Sequence, residues 1–453
     1  LTEGDWATVA VLVAAGIVTA GAASLPKFWP KSSDVAPLQR EVMAEIAASW
    51  TIVTVTSALI TWALAATATA DTALTDPTSA LFEATSGLTT TGLTMLASPE
   101  SADPSILWWR TISQWIGGIG VIVFALVAAE RSGDDDQALE EAWGDAPSTE
   151  QSTAAARRIV GLYVGITVLV VLGLLAAGDS FWTAINHAAT TPATGGFSVS
   201  SSSAGFTTGW GQLVVAVGCL LSAISYGTLW ALPKGEGPRF WQRTQLRWGA
   251  AITAAGAALS VAAAAANGGA VGPTLFNAIS ASTTAGFSAG DGHRTIPAVA
   301  TVAMASMFIG GAAGSTAGGL KIARVVWLTK ATARWIPQGG DPYSEPYVWD
   351  HRYVEPSEAK DRITGAVALA ALWLGASVAG TFLLAATTGT AAGSAAFEAI
   401  SALSGVGLSG GLTDSDLGAA PKLVLSALML IGRVEITAFL ALALGAVKER
   451  VAT

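Results

Sequence analysis

The sequence is poor in charge, cysteine and histidine. Only 12% of its 453 residues are charged, about half the fraction of an ordinary soluble domain, which excludes most soluble enzymes and a disordered chain. The single cysteine excludes an internal disulfide framework, and three histidines leave little for a histidine-built zinc site. The net charge of −9 argues against nucleic-acid binding. With 52% hydrophobic residues and a mean hydropathy of +0.53, the chain is predicted to be an all-α membrane protein.

Long charge-free stretches predict the membrane helices, since a spanning helix needs about 20 apolar residues. Between consecutive helices from residue 42 onward lie short apolar segments that begin near 78, 182, 273 and 394 and are too short to span. The predicted helices are 5–25, 42–70, 106–130, 156–178, 209–232, 246–268, 297–329 (interrupted), 361–386 and 421–447. The predicted organisation is an N-terminal extra helix and cytoplasmic link (1–40), repeat 1 (41–131), repeat 2 (156–233), repeat 3 with an interrupted inner helix (244–335), a cytoplasmic link (336–360) and repeat 4 with the C-terminus (361–453).

The basic residues predict the orientation of these helices. Nineteen of the 23 lysines and arginines lie on one side of the predicted membrane or in the adjoining half, and the exceptions are Arg110, Arg294, Lys422 and Arg433. Because basic residues concentrate on the cytoplasmic side, that side is predicted to be the cytoplasm. The short apolar segments then open to the outside.

The short segments and the residues after them form a fourfold internal repeat. Residues 82–94, 186–198, 276–288 and 397–409 align without gaps. Five columns agree in type: Ala at the third position, Ser or Thr at the fifth, Gly at the eleventh, Leu or Phe at the twelfth, and Ser or Thr at the thirteenth. Chance recurrence of small residues would explain one such match, but not four at equivalent places.

A short helix followed by irregular backbone has a specific use inside a membrane. Irregular backbone persists at membrane depth only where it is buried in protein or lines a polar path. Glycine allows the backbone to present carbonyl oxygens inward, and rings of carbonyls replace the water shell of a potassium ion. The hydroxyls of Thr90, Thr194 and Thr284 are candidates for further ligands at the inner mouth, where the fourth segment has Gly405.

Three motifs resemble those of the Trk/Ktr/HKT superfamily of potassium transporters, and the Trk type most closely. They are residues 114–120 (QWIGGIG), 193–198 (ATGGFS) and 310–321 (GGAAGSTAGGLK). The resemblance covers about residues 40–447 and implies four membrane–pore–membrane repeats around a pseudo-fourfold central ion pore. It also implies that the filter binds potassium as the transported ion, through the following residues: Thr90, Thr91, Gly92, Leu93, Thr194, Gly195, Gly196, Phe197, Thr284, Ala285, Gly286, Phe287, Gly405, Val406, Gly407 and Leu408.

The filter glycines of the family correspond to Gly92, Gly196, Gly286 and Gly407. In some relatives a serine replaces the first of them and sodium then passes, so Gly92 favours potassium. The residue after each glycine is Leu or Phe, not the Tyr of tetrameric potassium channels.

A glycine-rich stretch inside the third inner helix is the candidate gate. Interior glycines destabilise a helix by about 1 kcal/mol each, so residues 310–320 are predicted to break it; close helix packing through small residues is the alternative. By resemblance the stretch is a gating loop beneath the filter. The candidate gate residues are Gly310, Gly311, Gly314, Ser315, Thr316, Gly318, Gly319, Lys321 and Arg433. Arg433 either forms the cationic barrier of the family or makes a structural ion pair, and Lys321 either joins that barrier or extends to the cytoplasmic surface.

The predicted function is therefore potassium uptake across the plasma membrane, and the alternative is a sodium- or proton-coupled secondary cation transporter. No paired carboxylates or catalytic triad residues cluster in the membrane segments, so the chain is not predicted to be an enzyme and no cofactor or catalytic residue is expected. Glu83, Glu398 and His187 are predicted to be structural. The resemblance implies a homodimer with a cytosolic nucleotide-binding regulatory subunit, for which segments 234–248 and 321–362 are candidate contacts; lipid is the other expected partner.

Overall fold

The computed structural model describes residues 39–68, 72–132, 149–231, 243–338, 343, 345–434 and 436–440. The predicted helix 5–25 lies outside these residues. Within them the chain forms four consecutive units, which we number 1 to 4. Each unit has a first helix, a short helix, a loop and a second helix.

The helices have the following bounds. The first helices are Gln39–Thr67, Thr149–Ala176, Thr244–Ala266 and Pro356–Thr388, and the short helices are Pro77–Leu88, Phe181–Thr190, Val271–Ser282 and Ala392–Leu403. The second helices are Pro104–Ser132, Gly209–Ser222 with Tyr226–Ala231, Pro297–Ile309 with Ile322–Gln338, and Ala419–Val434. Single turns lie at Ala73–Thr75, Pro99–Ser101, Ser203–Phe206 and Gly292–Thr295.

The four first helices are long and apolar enough to cross a membrane. The qualifying spans are Met43–Thr67, Ala156–Ala176, Thr244–Ala266 and Pro356–Thr388. Most residues in the apolar part of each span are not buried by the rest of the protein. Large apolar side chains such as Leu172 and Phe382 are more than half exposed. An apolar surface of this extent is stable in lipid and not in water. The chain is thus a helical membrane protein.

The short helices begin at residues 77, 181, 271 and 392, within two residues of the predicted starts. They contain 10 to 12 residues, so they are about 15–18 Å long and reach about halfway through the hydrocarbon layer. The first begins after Asp76, whose carboxylate accepts a hydrogen bond from the backbone N–H of Ser79 at 3.0 Å, as a helix N-cap does. Hydrogen bonds, chiefly from the Thr78 hydroxyl, hold the pKa of Asp76 well below its usual range.

The units pack in a closed cycle. The second helix of unit 1 packs against the short helix of unit 2, and the same contact joins unit 2 to unit 3 and unit 3 to unit 4. The second helix of unit 4 returns to the short helix of unit 1. This order brings the ends of the four short helices, and the loops that follow them, together.

The second helix of unit 2 is not continuous, contrary to the prediction of one helix over 209–232. It ends at Ser222 and resumes at Tyr226. The carbonyl of Ala223 accepts a hydrogen bond from the N–H of Ala312, and the N–H of Tyr226 donates to the carbonyl of Gly314, each at 3.0 Å. The helix therefore breaks because its backbone groups bond to the interrupted helix of unit 3.

The all-α prediction also misses a small hairpin in the segment 336–360. Strand β1 (Tyr347–Trp349) pairs antiparallel with β2 (Arg352–Val354). The two-residue turn has positive φ at Asp350 and His351, which is the geometry of a type I′ turn. Trp349 stacks on Trp327 with ring centroids 4.9 Å apart, which fixes the hairpin to the last helix of unit 3.

Candidate functional site

The four loops share one backbone conformation. The ninth residue of each aligned segment has a φ of 50° to 60°, and the eleventh has a φ of 73° to 95°. These residues are Thr90, Thr194, Thr284 and Gly405 at the ninth position, and Gly92, Gly196, Gly286 and Gly407 at the eleventh. Three threonines in the left-handed region are unusual, and such strain persists only where the surroundings enforce it. The sequence alignment of the loops is therefore also a structural one.

The eleventh-position glycines lie against the neighbouring loops in a closed ring. A Cβ on each glycine would overlap or crowd the carbonyl oxygen of the tenth residue in the next loop. The pairs are Gly92 with Gly195, Gly196 with Ala285, Gly286 with Val406, and Gly407 with Thr91. A side chain at these positions would collide with backbone and also adopt a strained φ. Glycine is thus required at all four corners of the ring.

Hydroxyls at the fifth position support the loops from the short helices. Ser86 Oγ accepts a hydrogen bond from the N–H of Gly92 at 2.9 Å, and Ser401 Oγ accepts one from the N–H of Gly407 at 3.1 Å. Thr190 Oγ1 donates to the carbonyl of Phe197 at 3.0 Å. These bonds give a physical reason for the Ser/Thr column in three of the four units.

Gln114 is a buried support that lies outside the predicted set of site residues. Its Nε2 donates to the carbonyl of Gly195 at 2.6 Å, and its Oε1 accepts from the N–H of Phe197 at 3.2 Å. The side chain is fully buried. An amide inside the charge-free stretch 111–129 was the available signal, because such a group must find partners.

The twelfth residues face the protein interior. Leu93, Phe197, Phe287 and Leu408 are all buried, and the guanidinium of Arg110 lies 4.1 Å above the ring of Phe197. These side chains pack behind the loops, so any ion ligand that these positions offer comes from their backbone.

Thr91, another predicted site residue, forms a hydroxyl–hydroxyl hydrogen bond with Thr89 at 2.8 Å.

The glycine-rich stretch of unit 3 breaks its helix, as predicted. Residues 310–321 separate Pro297–Ile309 from Ile322–Gln338, and we call them the plug. Gly310, Gly314, Gly319 and Lys321 all have positive φ. The N–H of Gly311 bonds to the carbonyl of Gly318, so the plug folds back on itself. Ser315 Oγ donates to the carbonyl of Ala312 within it at 2.6 Å.

The plug contacts three of the four loops. The N–H of Gly319 donates to the carbonyl of Ser404 at 3.1 Å, and the N–H of Gly318 donates to Thr284 Oγ1 at 2.7 Å. Thr194 Oγ1 donates to the carbonyl of Thr316 at 3.0 Å. Two of the three ninth-position threonines are therefore engaged by the plug.

Arg433 lies beside the plug. Its Nη1 donates to the carbonyl of Thr316 at 2.8 Å, the same oxygen that Thr194 contacts. Its Nε and Nη2 have no hydrogen-bond partner within the part of the chain that the structure describes, although the residue is 92% buried. No described carboxylate pairs with it, so the structural ion-pair alternative finds no partner there. Lys321 turns back and donates its Nζ to the carbonyl of Ala317.

Comparisons with known proteins agree with one another. The model of the TrkH family, described as a cation transport protein, matches residues 9–232 and 251–447. The chain is 30% identical over 272 residues to the Trk system potassium uptake protein TrkH of Halomonas elongata, covering 57% of this chain and 56% of that protein. It is 32% identical over 275 residues to the protein of the same name in Escherichia coli, covering 56% and 55%. The chain thus spans about half the length of these curated relatives.

Two further matches cover more of the chain. An uncharacterized cation transporter of Methanocaldococcus jannaschii is 28% identical over 364 residues, which is 80% of this chain and 75% of that protein. The crystal structure of the potassium transporter TrkH from Vibrio parahaemolyticus aligns with a TM-score of 0.79 and 24% identity, covering 97% of this chain and 96% of that one. The latter match shows that the fold is shared.

Proposed function

Because the chain belongs to the TrkH family of cation transport proteins, we propose that it carries potassium ions into the cell through a pore at the centre of the four units. The observation that carries the proposal is the closed ring, in which each eleventh-position glycine lies against a carbonyl oxygen of the next loop. The names of the Halomonas and Escherichia relatives, which are potassium uptake proteins, support the choice of ion. In such a ring a cation is bound by the dipoles of backbone carbonyl groups and not by charged side chains.

In this proposal the filter consists of residues 90–93, 194–197, 284–287 and 405–408. None of these residues carries a formal charge, so cation binding there depends on carbonyl and hydroxyl oxygens. Each short helix ends directly before its loop, and the C-terminal end of a helix carries a partial negative charge that favours a cation. Potassium is the transported ion, and no other cofactor is required.

The plug and Arg433 form the gate in this proposal. The plug bonds to the loops of units 2, 3 and 4, where it would obstruct an ion leaving the filter. The Arg433 guanidinium adds a positive charge at the same depth, and a buried charge of the same sign as the ion raises the barrier to its passage. For the pore to open, the hydrogen bonds between the plug and the loops must break.

We place the protein in the plasma membrane as a homodimer that is regulated by a cytosolic nucleotide-binding subunit. The support is the family and the relatives' designation as parts of a Trk system. The region around the hairpin is a suitable contact, because Trp335 and Tyr353 are mostly exposed there and basic residues such as Lys330 and Arg334 lie beside them. Large exposed aromatic side chains flanked by charge are typical of protein interfaces.

Flux through the purified protein in lipid vesicles tests the proposal. We expect uptake of radioactive rubidium driven by membrane voltage, without a sodium or proton gradient; a strict requirement for either gradient would favour the coupled-transporter alternative. The variant Gly92→Ser is expected to admit more sodium, because its side chain meets the carbonyl of Gly195. Gly165→Ser is the matched control, since a Cβ there meets open space. Arg433→Ala is expected to increase leak through the closed state.

Two results would contradict the proposal. One is the absence of flux when every partner is supplied, or equal passage of large organic cations. The other is wild-type behaviour of both Gly92→Ser and Arg433→Ala, which would mean that the filter and gate lie elsewhere.

A further inference from the structure

The second position of the aligned segments carries a buried polar side chain in every unit. The residues are Glu83, His187, Asn277 and Glu398, each no more than 2% exposed. They differ in type, so the column does not stand out in the sequence alignment. Glu83 and Glu398 lie in the middle of their short helices. Burying such groups is unfavourable unless they are hydrogen-bonded.

In unit 1 this side chain bonds to the outer end of its own loop. Glu83 Oε1 accepts a hydrogen bond from Thr94 Oγ1, and its Oε2 accepts one from the N–H of Met95, both at 2.8 Å. Arg110 completes the arrangement, with its Nε 2.6 Å from Glu83 Oε1 and its Nη2 donating to Thr94 Oγ1 at 3.1 Å. Thr94 is the thirteenth residue of the segment, so its side chain has a defined role.

Unit 4 repeats the contact without a described cation. Glu398 Oε1 accepts hydrogen bonds from Ser409 Oγ at 2.6 Å and from the N–H groups of Gly410 and Leu412 at 2.9 and 3.2 Å. Its Oε2 accepts one from Thr413 Oγ1 at 3.0 Å. Four neutral donors thus surround one buried carboxylate at the outer end of the loop.

The two middle units use other side chains for the same contact. His187 Nε2 bonds to Ser198 Oγ at 2.8 Å, and Ser198 is again the thirteenth residue. Asn277 Oδ1 accepts from the N–H of Ala289 at 2.7 Å, and its Nδ2 donates to the carbonyl of Ala289 at 3.1 Å. The carboxylates of units 1 and 4 and the imidazole of unit 2 therefore bond to the thirteenth residue of the loop. The amide of unit 3 bonds to the residue after it.

We propose that these four side chains act as latches, positioning residues that fix the outer ends of the loops and thereby set the selectivity between potassium and sodium. The inference rests on the proposed function, because it concerns the same loops. A filter discriminates between ions of different size only if its oxygens cannot move freely to suit the smaller one. The plug bonds to the ninth residues of units 2 and 3, and the fifth-position hydroxyls of units 1, 2 and 4 bond to the eleventh or twelfth residues. The latches hold the outer ends, at the thirteenth residue and beyond.

Glu398 provides the sharpest test, because its removal leaves no described cation without a partner. Glu398→Gln keeps the size of the side chain but loses the carboxylate that its four donors share. Ser409→Ala removes one of those donors, together with the hydrogen bond that its hydroxyl accepts from the N–H of Gly411 at 3.0 Å. We expect each variant to lower the rubidium-to-sodium flux ratio by about two- to tenfold, since the net contribution of a hydrogen bond corresponds to that range. In the double variant the two effects should be less than additive, because both remove the same contact.

A matched control is Glu358→Gln in the same unit, whose carboxylate pairs with Arg362 at the start of the first helix. It should leave the flux ratio unchanged. If Glu398→Gln does not fold, Ser409→Ala carries the test alone. Wild-type flux ratios in folded Glu398→Gln and Ser409→Ala would refute the latches while leaving the proposed function intact. If the wild-type protein shows no rubidium flux when every partner is supplied, the proposed function itself fails.

Discussion

The side chain of Thr316 attaches the plug to unit 2, and its removal should loosen the gate. Thr316 is fully buried, and its hydroxyl donates to the carbonyls of Pro192 at 2.8 Å and Ser222 at 3.1 Å. Both acceptors belong to unit 2. The variant Thr316→Val keeps the shape of the side chain but removes the only proton that these contacts share.

The size of the effect follows from the value of one neutral hydrogen bond. Such a bond contributes about 0.5–1.5 kcal/mol net, and each 1.4 kcal/mol changes an equilibrium tenfold. If the contact exists only while the plug is seated, its loss should raise the ratio of open to closed protein by about 2- to 13-fold. Proteoliposomes that contain the purified chain without a regulatory subunit should therefore take up rubidium faster by a factor in this range.

The control is Thr329→Val, which removes an exposed hydroxyl whose hydrogen bond among the described residues is to the carbonyl of Val325 in its own helix. We expect it to leave the basal flux unchanged. Equal flux in Thr316→Val and the wild type, with both proteins folded, would refute the assignment of the plug as the closed gate. An equal rise in both variants would show that the effect comes from general destabilisation.

Two further predictions concern stability. Gly117→Ala and Gly432→Ala should lower the melting temperature in detergent. A Cβ at Gly117 overlaps the carbonyl of Leu88, and a Cβ at Gly432 overlaps that of Leu403, each the last residue of a short helix. The control is Gly161→Ala, whose Cβ meets open space and which should be neutral or stabilising by up to about 1 kcal/mol. Asp76→Asn should also lower the melting temperature at neutral pH, since the depressed pKa of Asp76 means that its charged form stabilises the folded state. That stabilisation is present above the unfolded pKa of about 3.9 and is lost as the pH falls below it, so the difference between the two proteins should narrow in acid. A difference that is constant from pH 7 to pH 3 would contradict this reasoning.

The helical framework was predictable from the sequence because lipid imposes strong local rules. Charge-free length predicts the first helices, and the shortness of the segments near 78 and 182 predicts helices that stop at mid-membrane. Asp76 and Ser180 are N-cap residues that mark two of these starts in the sequence itself. The clustering of five glycines between residues 310 and 319 likewise predicts a break, because it lowers helix propensity locally.

The features that the sequence did not reveal depend on tertiary partners. The break after Ser222 has no glycine or proline at its position and exists because the carbonyl of Ala223 bonds to the plug. The hairpin turn is formed by Asp350 and His351 rather than by the usual Asn-Gly pair. Three of the four latches were predicted only to be structural, and their common position was not recognised, because column comparison looks for similar residues. The property that the four share is polarity inside apolar helices.

The arrangement of four loops in one chain, rather than in four identical chains, has a consequence for how finely such a ring can be adjusted. In a symmetric tetramer every substitution appears four times, so a small change at one corner is not accessible. Here unit 3 alone carries the plug, and unit 4 alone has glycine in place of threonine at the ninth position. A single mutation alters one quarter of the ring, so in the proposed filter the ion preference can change in small steps, and the proposed gate closes from one side.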